Sequence, residues 1–495
     1  TGTSKIIQCN FMEFYILERL LYNSNNEFEK DILELVDVCG ETKLAGFLEN
    51  IKLVIESENL LQSIKPRKFH SPDHYENLED TLNHKLKQIT MELTEKCNLR
   101  CGYCIYNSSY QETREHGIGE MTEETAKASI DYALKYSDQK DGIAITFYGG
   151  EPLLKFPLLK YCVEYSQKTI TDRPLTFSVT TNLTLVTPEI AEYLASVEGM
   201  SVLCSLDGPK HIHDSYRVDI SGQGTFDRAI RGLKYIVDAY GDRTKELVSL
   251  SIVFAPPYSY SKLKEIKDFL QGLPWLSKLS NTRITYPVQG DVFDIDENDE
   301  FLKRKRLNMK DEVFEQLQGR TLGAWSKNQY LDQLKKNEKI DFFSINAVQE
   351  SLVRIHQRAI FDKPNDFYTF NACCVPGNRK IYVTVSGDFL ICERAPGSPV
   401  IGNISTGYDV SKIRSSLIDE YTEASMEYCS NCWALRLCSM CYAYCLKKGS
   451  LDIVKKQKYC EMIKNNLVED LKFYHYCAEV NPVGLEYLGN ITSVG

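Results

Sequence analysis

The chain has 495 residues, with 58 Lys and Arg against 68 Asp and Glu and a formal net charge of −10. That length is too great for one simple core and predicts two or three domains; the acidic balance argues against a protein that tracks nucleic-acid phosphates. The apolar share of 43% is ordinary for a globular protein, and no apolar run approaches the roughly 20 residues that span a bilayer, so neither nucleic acid nor membrane is an expected partner.

In chain order, the opening TGTS lacks an initiator Met and reads as a scar of processing, and no charged start followed by an apolar middle marks a secretory signal. From about Ile6 to Leu61 the pattern suggests a small mixed α/β unit, with helical periodicity in EFEKDILELV and FLENIKLVIESENLL. A first domain is therefore placed at residues 1–66. Residues 67–86 read as a polar linker whose His70, His74 and His84 are solvated.

From residue 87 to 290 the rhythm changes. β-rich runs (QITMEL, GIAITFY, LTFSVTT, MSVLCSL, LVSLSIVF, TRITY) alternate with helical stretches such as TEETAKASIDYALKY and TFDRAIRGLKYIVDAY. Thr122 is a good N-cap, with Glu123 and Glu124 complementing the helix dipole. Such alternation predicts parallel βαβ units with right-handed crossovers, and six units fit a partial, TIM-like (β/α)6 barrel in an α/β fold. Residues 291–372 read as a helical bridging segment, 373–477 as a cysteine-rich domain and 478–495 as a tail.

Seventeen cysteines without a secretion signal point to reduced thiols in a cytoplasmic protein, and clustered reduced thiols bind metal or do chemistry. Cys9, Cys39, Cys162, Cys204 and Cys477 stand alone and read as small core residues. Cys97, Cys101 and Cys104 are spaced C-x3-C-x2-C directly after the first barrel strand, on a loop of the face where barrels build active sites. A structural zinc site normally needs a fourth ligand, and none lies nearby. A disulfide would leave one thiol over. An iron–sulfur cluster held by three thiolates keeps one iron free, and the spacing favours this reading.

This triplet, with Tyr103 before its last Cys, resembles the signature of the radical S-adenosylmethionine (SAM) superfamily. The resemblance implies a [4Fe–4S] cluster whose free iron chelates SAM, which is cleaved to a 5′-deoxyadenosyl radical. Later strand ends fit it. Gly149, Gly150, Glu151 and Pro152 match the family's GGE motif, in which backbone approaches the SAM amino group and Glu151 accepts its hydrogen bond. Thr181 and Asn182 resemble groups that meet the ribose, Ser205 and Asp207 are ribose or substrate contacts, and Arg217 is placed for the SAM carboxylate. His213 and Asp214 read as loop-fixing residues.

Toward the C-terminus the pattern is C-x12-G-x4-C, then C-x2-C-x5-C-x2-C-x3-C, then Cys460. It resembles the SPASM extension, which carries two auxiliary [4Fe–4S] clusters, three in all with the SAM cluster. The resemblance assigns Cys429, Cys432, Cys438 and Cys460 to an outer cluster and Cys374, Cys392 and Cys441 to an inner one, whose fourth iron takes Cys373, Cys445 or no protein ligand. Taken alone, CSNC and CSMC also resemble a zinc ribbon.

The N-terminal unit resembles a winged-helix peptide-recognition element, which pairs a leader peptide to a strand edge. A DNA-binding winged helix is disfavoured by 6 Lys/Arg against 11 Asp/Glu in residues 1–66; plain packing against the barrel is a third reading. The whole resembles peptide maturases of the sactipeptide or ranthipeptide type. It implies thioether formation in a Cys-containing precursor peptide with a leader, driven by an external one-electron reductant of flavodoxin or ferredoxin type. Oxidation of Ser or Cys to formylglycine, as in sulfatase maturases, is a second reading. An iron–sulfur sensor or electron carrier is a third, from another class.

Overall fold

A computed structural model of the chain describes residues 3–22, 28–61, 64–107, 114–256, 260–279, 281–285, 287, 320–364, 367–395 and 397–491. The chain divides into two compact units. Thr1–Ser71, Gln357–Asn371 and Thr422–Cys438 form one; Pro72–His356, Ala372–Tyr421 and Ser439–Gly495 form the other.

In the first unit three helices, α1 (Phe11–Tyr22), α2 (Phe28–Cys39) and α3 (Glu41–Ser57), follow one another. Ile16, Leu35, Leu44 and Ile51 make their small core. The expected α/β character is absent: no strand occurs among the described residues before Lys68–Phe69, which pairs in parallel with Phe367–Tyr368. The sequence contains the two helices anticipated there, but nothing between them offers a strand edge to a peptide.

The second unit is built on one sheet. Its parallel strands are β1 (Gln88–Thr94), β2 (Ile143–Gly149), β3 (Leu175–Thr181), β4 (Met200–Ser205), β5 (Val248–Val253) and β6 (Asn281–Thr285), paired in chain order. Helices α4 (Glu123–Tyr136), α5 (Phe156–Thr169), α6 (Pro188–Ser196), α7 (Phe226–Tyr240) and α8 (Tyr260–Gln271) alternate with them, as the βαβ pattern requires. In β1, Ile89, Met91 and Leu93 on one face and Thr90, Glu92 and Thr94 on the other are all buried, as in a strand covered on both faces. In α7, Ala229, Leu233, Ile236, Val237 and Tyr240 recur at helical spacing and are buried.

The sheet does not end at β1. Strand β7 (Lys380–Val383) pairs in parallel with β1, and β8 (Asp388–Leu390), β9 (Gly402–Asn403) and β10 (Gly407–Tyr408) extend it antiparallel, giving ten strands in the order β10-β9-β8-β7-β1-β2-β3-β4-β5-β6. The cysteine-rich region thus starts as a continuation of the barrel sheet.

Of the bridging segment anticipated at 291–372, residues 291–319 lie outside the described residues. Beyond them α9 (Arg320–Lys335) and α10 (Phe342–His356) pack with α11 (Ile453–Val480) around Tyr330, Leu334, Leu352 and Phe473. Helix α11 runs past the boundary expected at 477. Cys162, Cys204 and Cys477 are buried as expected, whereas Cys9 is exposed and Cys39 half-buried. His74, expected in solvent, is 5% exposed. Among the described residues no helix is long and apolar enough to cross a membrane.

Candidate functional site

Beyond Thr94 the chain turns at once into the loop of Cys97, Cys101 and Cys104, and the loop after β2 is laid directly on it. Gly150 N donates to Thr94 O at 2.8 Å and Glu151 N to Lys96 O at 2.9 Å. Contact this close needs glycine. A Cβ on Gly149, at φ +126, would stand 2.4 Å from Thr94 O, and one on Gly150 would stand 2.0 Å from Lys96 O.

Glu151 is 1% exposed. It accepts from Leu153 N (3.1 Å), Thr181 Oγ1 (2.9 Å) and Asn182 N (2.8 Å), tying the ends of β2 and β3 together. Burial pushes its carboxyl up to about 7 against those three donors. The residue expected to meet the SAM amino group therefore also holds the loops. Asn182 Nδ2 donates to Asn98 Oδ1 at 2.9 Å and stands 3.9 Å from Cys97 Sγ, so it fixes the cysteine loop. Leu99 N also points at Cys97 Sγ, at 3.4 Å. Pro152, Thr181 and Ser205 are buried at the strand ends.

Arg217 and Asp207, expected to meet SAM separately, are engaged with each other. Arg217 Nε and Nη2 bond the two carboxylate oxygens at 2.9 and 3.2 Å, and Tyr103 OH donates to Asp207 Oδ2. Val253 N adds a further donor at 2.9 Å. Burial opposes both charges, but each holds the other ionised: Asp207 stays below and Arg217 above its ordinary value. The same guanidinium hydrogen-bonds the sulfur of Cys101. His213 fixes the loop as expected: Asp207 N donates to its Nδ1 at 3.4 Å, and its Nε2 meets Thr225 Oγ1 at 3.1 Å. Since Thr225 Oγ1 donates to Arg217 O at 2.9 Å, the proton belongs on Nε2. Asp214 Oδ1 accepts from Thr225 N and Phe226 N, at 2.7 and 2.8 Å, at the start of α7.

Burial pushes the thiols of Cys97 and Cys101 up to about 12 and that of Cys104 to about 11. The chain alone does not ionise them; bound iron would. Three thiols on one loop, with an amide, an amide side chain and a guanidinium aimed at two of the sulfurs, fit the three-thiolate half of a cubane. Among the described residues, no group of three or more His, Cys, Asp or Glu is close enough to hold a single metal ion.

In the cysteine-rich region, Ala372 N donates to Met440 O at 3.0 Å, bringing Cys373 and Cys374 beside Cys441. Cys441 acts electrostatically on Cys373, Cys374 and Cys392, and Lys380 on the last two. A turn closes Cys429 and Cys432, with Cys432 N on Cys429 O at 3.1 Å. Cys429, Cys432 and Cys438 belong to the first unit, and Cys460 to α11 of the second.

A cavity of about 210 Å³ opens beside β1, lined by Glu92, Tyr106, Arg114, Tyr382, Cys392 and Glu393 among others. Glu92, on β1 and fully buried, accepts from Arg114 Nη2 and from Tyr382 OH, the latter at 2.8 Å. Glu393 Oε1 takes Lys380 Nζ at 2.7 Å, while its Oε2 is buried with no hydrogen-bond partner among the described residues. The sequence reading missed this group, as it missed His74, whose ring bonds the backbone at Cys373 and Cys374. Its only sequence signal was a Glu inside an otherwise apolar strand.

The fold and the loop that carries the three thiols define a radical SAM domain, and the Radical SAM superfamily model matches residues 91–270. Domains of that superfamily hold a [4Fe–4S] cluster and SAM. The chain is 25% identical over 331 residues to the uncharacterized protein MJ0907 of Methanocaldococcus jannaschii, covering 66% of this chain and 91% of that one. It is 26% identical over 211 residues to a cysteine-type anaerobic sulfatase-maturating enzyme of Clostridium novyi, covering 41% of this chain but only 54% of the enzyme. In fold it is similar to anSMEcpe with bound AdoMet and the Cp18Cys peptide, with a TM-score of 0.54 and 17% identity, over 82% of this chain and all of that one.

Proposed function

We propose that this chain is a maturase that forms thioether crosslinks in a Cys-containing, leader-bearing precursor peptide. The observation that carries the reading is the cavity, which touches Cys392, a ligand expected for the inner auxiliary cluster, on one wall. On another it touches Tyr106, two residues past Cys104. A peptide side chain in this cavity would touch Cys392 and the loop that carries Cys104. The cluster and SAM supply a 5′-deoxyadenosyl radical when bound. The chain's own part is orientation and exclusion of water. Gly149 and Gly150 bring backbone against the cysteine loop, the Asp207–Arg217 pair sets Tyr103 and Cys101, and Glu393 Oε2 is available for the thiol proton. The net change is loss of one carbon-bound hydrogen and one thiol hydrogen, gain of a C–S bond, and transfer of the remaining electron to the auxiliary clusters. An external flavodoxin- or ferredoxin-type reductant starts the reaction.

Incubation under anaerobic conditions with SAM, reductant and Cys-rich peptides is the test. A crosslink appears as loss of two hydrogens together with one blocked thiol. The similarity to a sulfatase-maturating enzyme favours a second reading, formylglycine formation, in which a Cys side chain loses its sulfur and two hydrogens and gains one oxygen from water. Absence of 5′-deoxyadenosine would reject both and leave an iron–sulfur sensor.

A further inference from the structure

In a chain of net charge −10, residues 446–464 carry six lysines against Asp452 and Glu461. This basic stretch runs through the antiparallel hairpin of Leu446–Lys447 and Ser450–Leu451 into the first turns of α11.

The fold gathers part of that charge around an aromatic pair. Lys455, Lys458, Tyr459 and Met462 stand at i, i+3, i+4 and i+7 of α11 and so share one helix face. Tyr459 packs on Tyr444, with ring centroids 4.6 Å apart. Tyr444, Met462, Lys448 and Lys458 are exposed, and Lys455 Nζ donates to Leu446 O at 3.0 Å beside the hairpin. Arg394 and Arg354 act electrostatically on Tyr444, opposed by Glu350. The surface keeps a positive excess although Arg354 holds Glu350 at 3.0 Å and Lys464 holds Glu461 at 2.7 Å. Lys456, buried over the Tyr421 ring, takes no part in it.

The aromatic pair also leads inward. Tyr459 directly precedes Cys460, and Tyr444 N donates to Cys441 O at 3.0 Å. Those two cysteines are expected ligands of the outer and inner auxiliary clusters. At the SAM thiols, by contrast, the cations are occupied locally: Lys96 and Lys155 share Glu120 at 2.8 and 2.9 Å, and Arg217 holds Asp207.

We propose that the surface around Tyr444 and Tyr459 docks an acidic one-electron carrier protein, whose oxidised form collects the electron that C–S bond formation leaves on the auxiliary clusters. The inference rests on the function proposed above and gives that electron a place to leave. One electron passes from a reduced auxiliary cluster to the carrier; no bond is made or broken. Opposite charge speeds such an encounter and orients it, while the exposed rings supply an apolar centre for the contact.

The test uses the full chain with Cys97→Ala, Cys101→Ala and Cys104→Ala together, so that only auxiliary clusters carry electrons. The protein is reduced with dithionite, freed of excess reductant, and mixed in a stopped-flow instrument with oxidised flavodoxin or with an uncharged benzoquinone. The quantity compared is the ratio of the two second-order rates, in which changes in the clusters themselves cancel. With flavodoxin, the parent's rate should fall at least about tenfold between about 0.03 and about 0.3 M salt. Lys448→Glu with Lys458→Glu should lower the flavodoxin-to-quinone ratio at low salt by at least about tenfold, and Lys448→Gln with Lys458→Gln by a smaller factor. Lys140→Glu with Lys168→Glu makes the same charge change on exposed residues of the barrel and should leave the ratio within about twofold. An unchanged ratio in the Lys448/Lys458 variants, or an equal fall in the barrel pair, would overturn the docking site. A parent without auxiliary iron, or one that dithionite does not reduce, would overturn the wider reading instead.

Discussion

Gly150 has no room for a methyl group, since the atom it would meet, Lys96 O, belongs to the backbone and cannot swing aside. Gly150→Ala should therefore push the cysteine loop off the end of β1. We expect iron content and 5′-deoxyadenosine release to fall at least roughly tenfold, the equivalent of about 1.4 kcal/mol in placement, with far-UV circular dichroism unchanged. The Asp207–Arg217 pair makes a different demand. Both groups are buried, so Asp207→Asn strands a guanidinium and should cost about 3–5 kcal/mol in denaturant unfolding. His213 gives a pH signature. Burial, then Arg217, holds its imidazole down at about 4, against 6.5 when free. A depressed histidine stabilises fully above its unfolded pKa, and that contribution is lost as pH falls through the window from 6.5 to 4. At about 1.4 kcal/mol per unit, the loss over the whole window is on the order of 3–4 kcal/mol. His213→Gln, which retains a donor for Thr225, should flatten the unfolding free energy between pH 6.5 and 5 relative to the parent; an unchanged slope would contradict this account.

At the scale of elements, the barrel half was readable because its periodicities are strong and its caps are local. Thr122 accepts from Thr125 N at 3.2 Å, as its position before two glutamates suggested, and Thr122→Ala should lower stability by about 1 kcal/mol in urea titration. Gly232 shows what sequence does not carry. A glycine inside a helix costs about 1 kcal/mol relative to alanine by propensity alone. Here its Cβ would meet Leu183 O at 2.2 Å, a long-range approach of α7 to the loop after β3, visible only in three dimensions. The cysteine and GGE loops were legible because their chemistry lies within a few residues. The Asp207–Arg217 bond, the burial of His74 and the Glu92–Arg114–Tyr382 group were not, since each joins distant segments. Two of the three N-terminal helices were legible, but not α1, whose apolar run Phe11–Tyr22 fits a strand as well as a helix, nor therefore the lack of a strand among the described residues there.

Taken as whole molecules, the two halves of the second unit are stabilised by different means. Strands β1 to β4 run six or seven residues each and bury continuous apolar faces, so the hydrophobic effect holds them without help. Strands β7 to β10 are only two to four residues long; Cys373 and Cys374 precede them, Cys392 lies between β8 and β9, and Cys441 and Cys445 follow later in the chain. Such a region has little sheet of its own, and where thiols converge, metal-binding energy becomes folding energy. Stripping the clusters with ferricyanide and chelator should therefore act unevenly. By hydrogen exchange, amides of residues 372–395 and 439–452 should lose protection by several orders of magnitude, while those of β1 to β4 change little, as expected for regions that open with separate free energies. Uniform loss across the sheet would mean that the clusters stabilise the whole unit. No loss at all would mean that these thiols hold no iron.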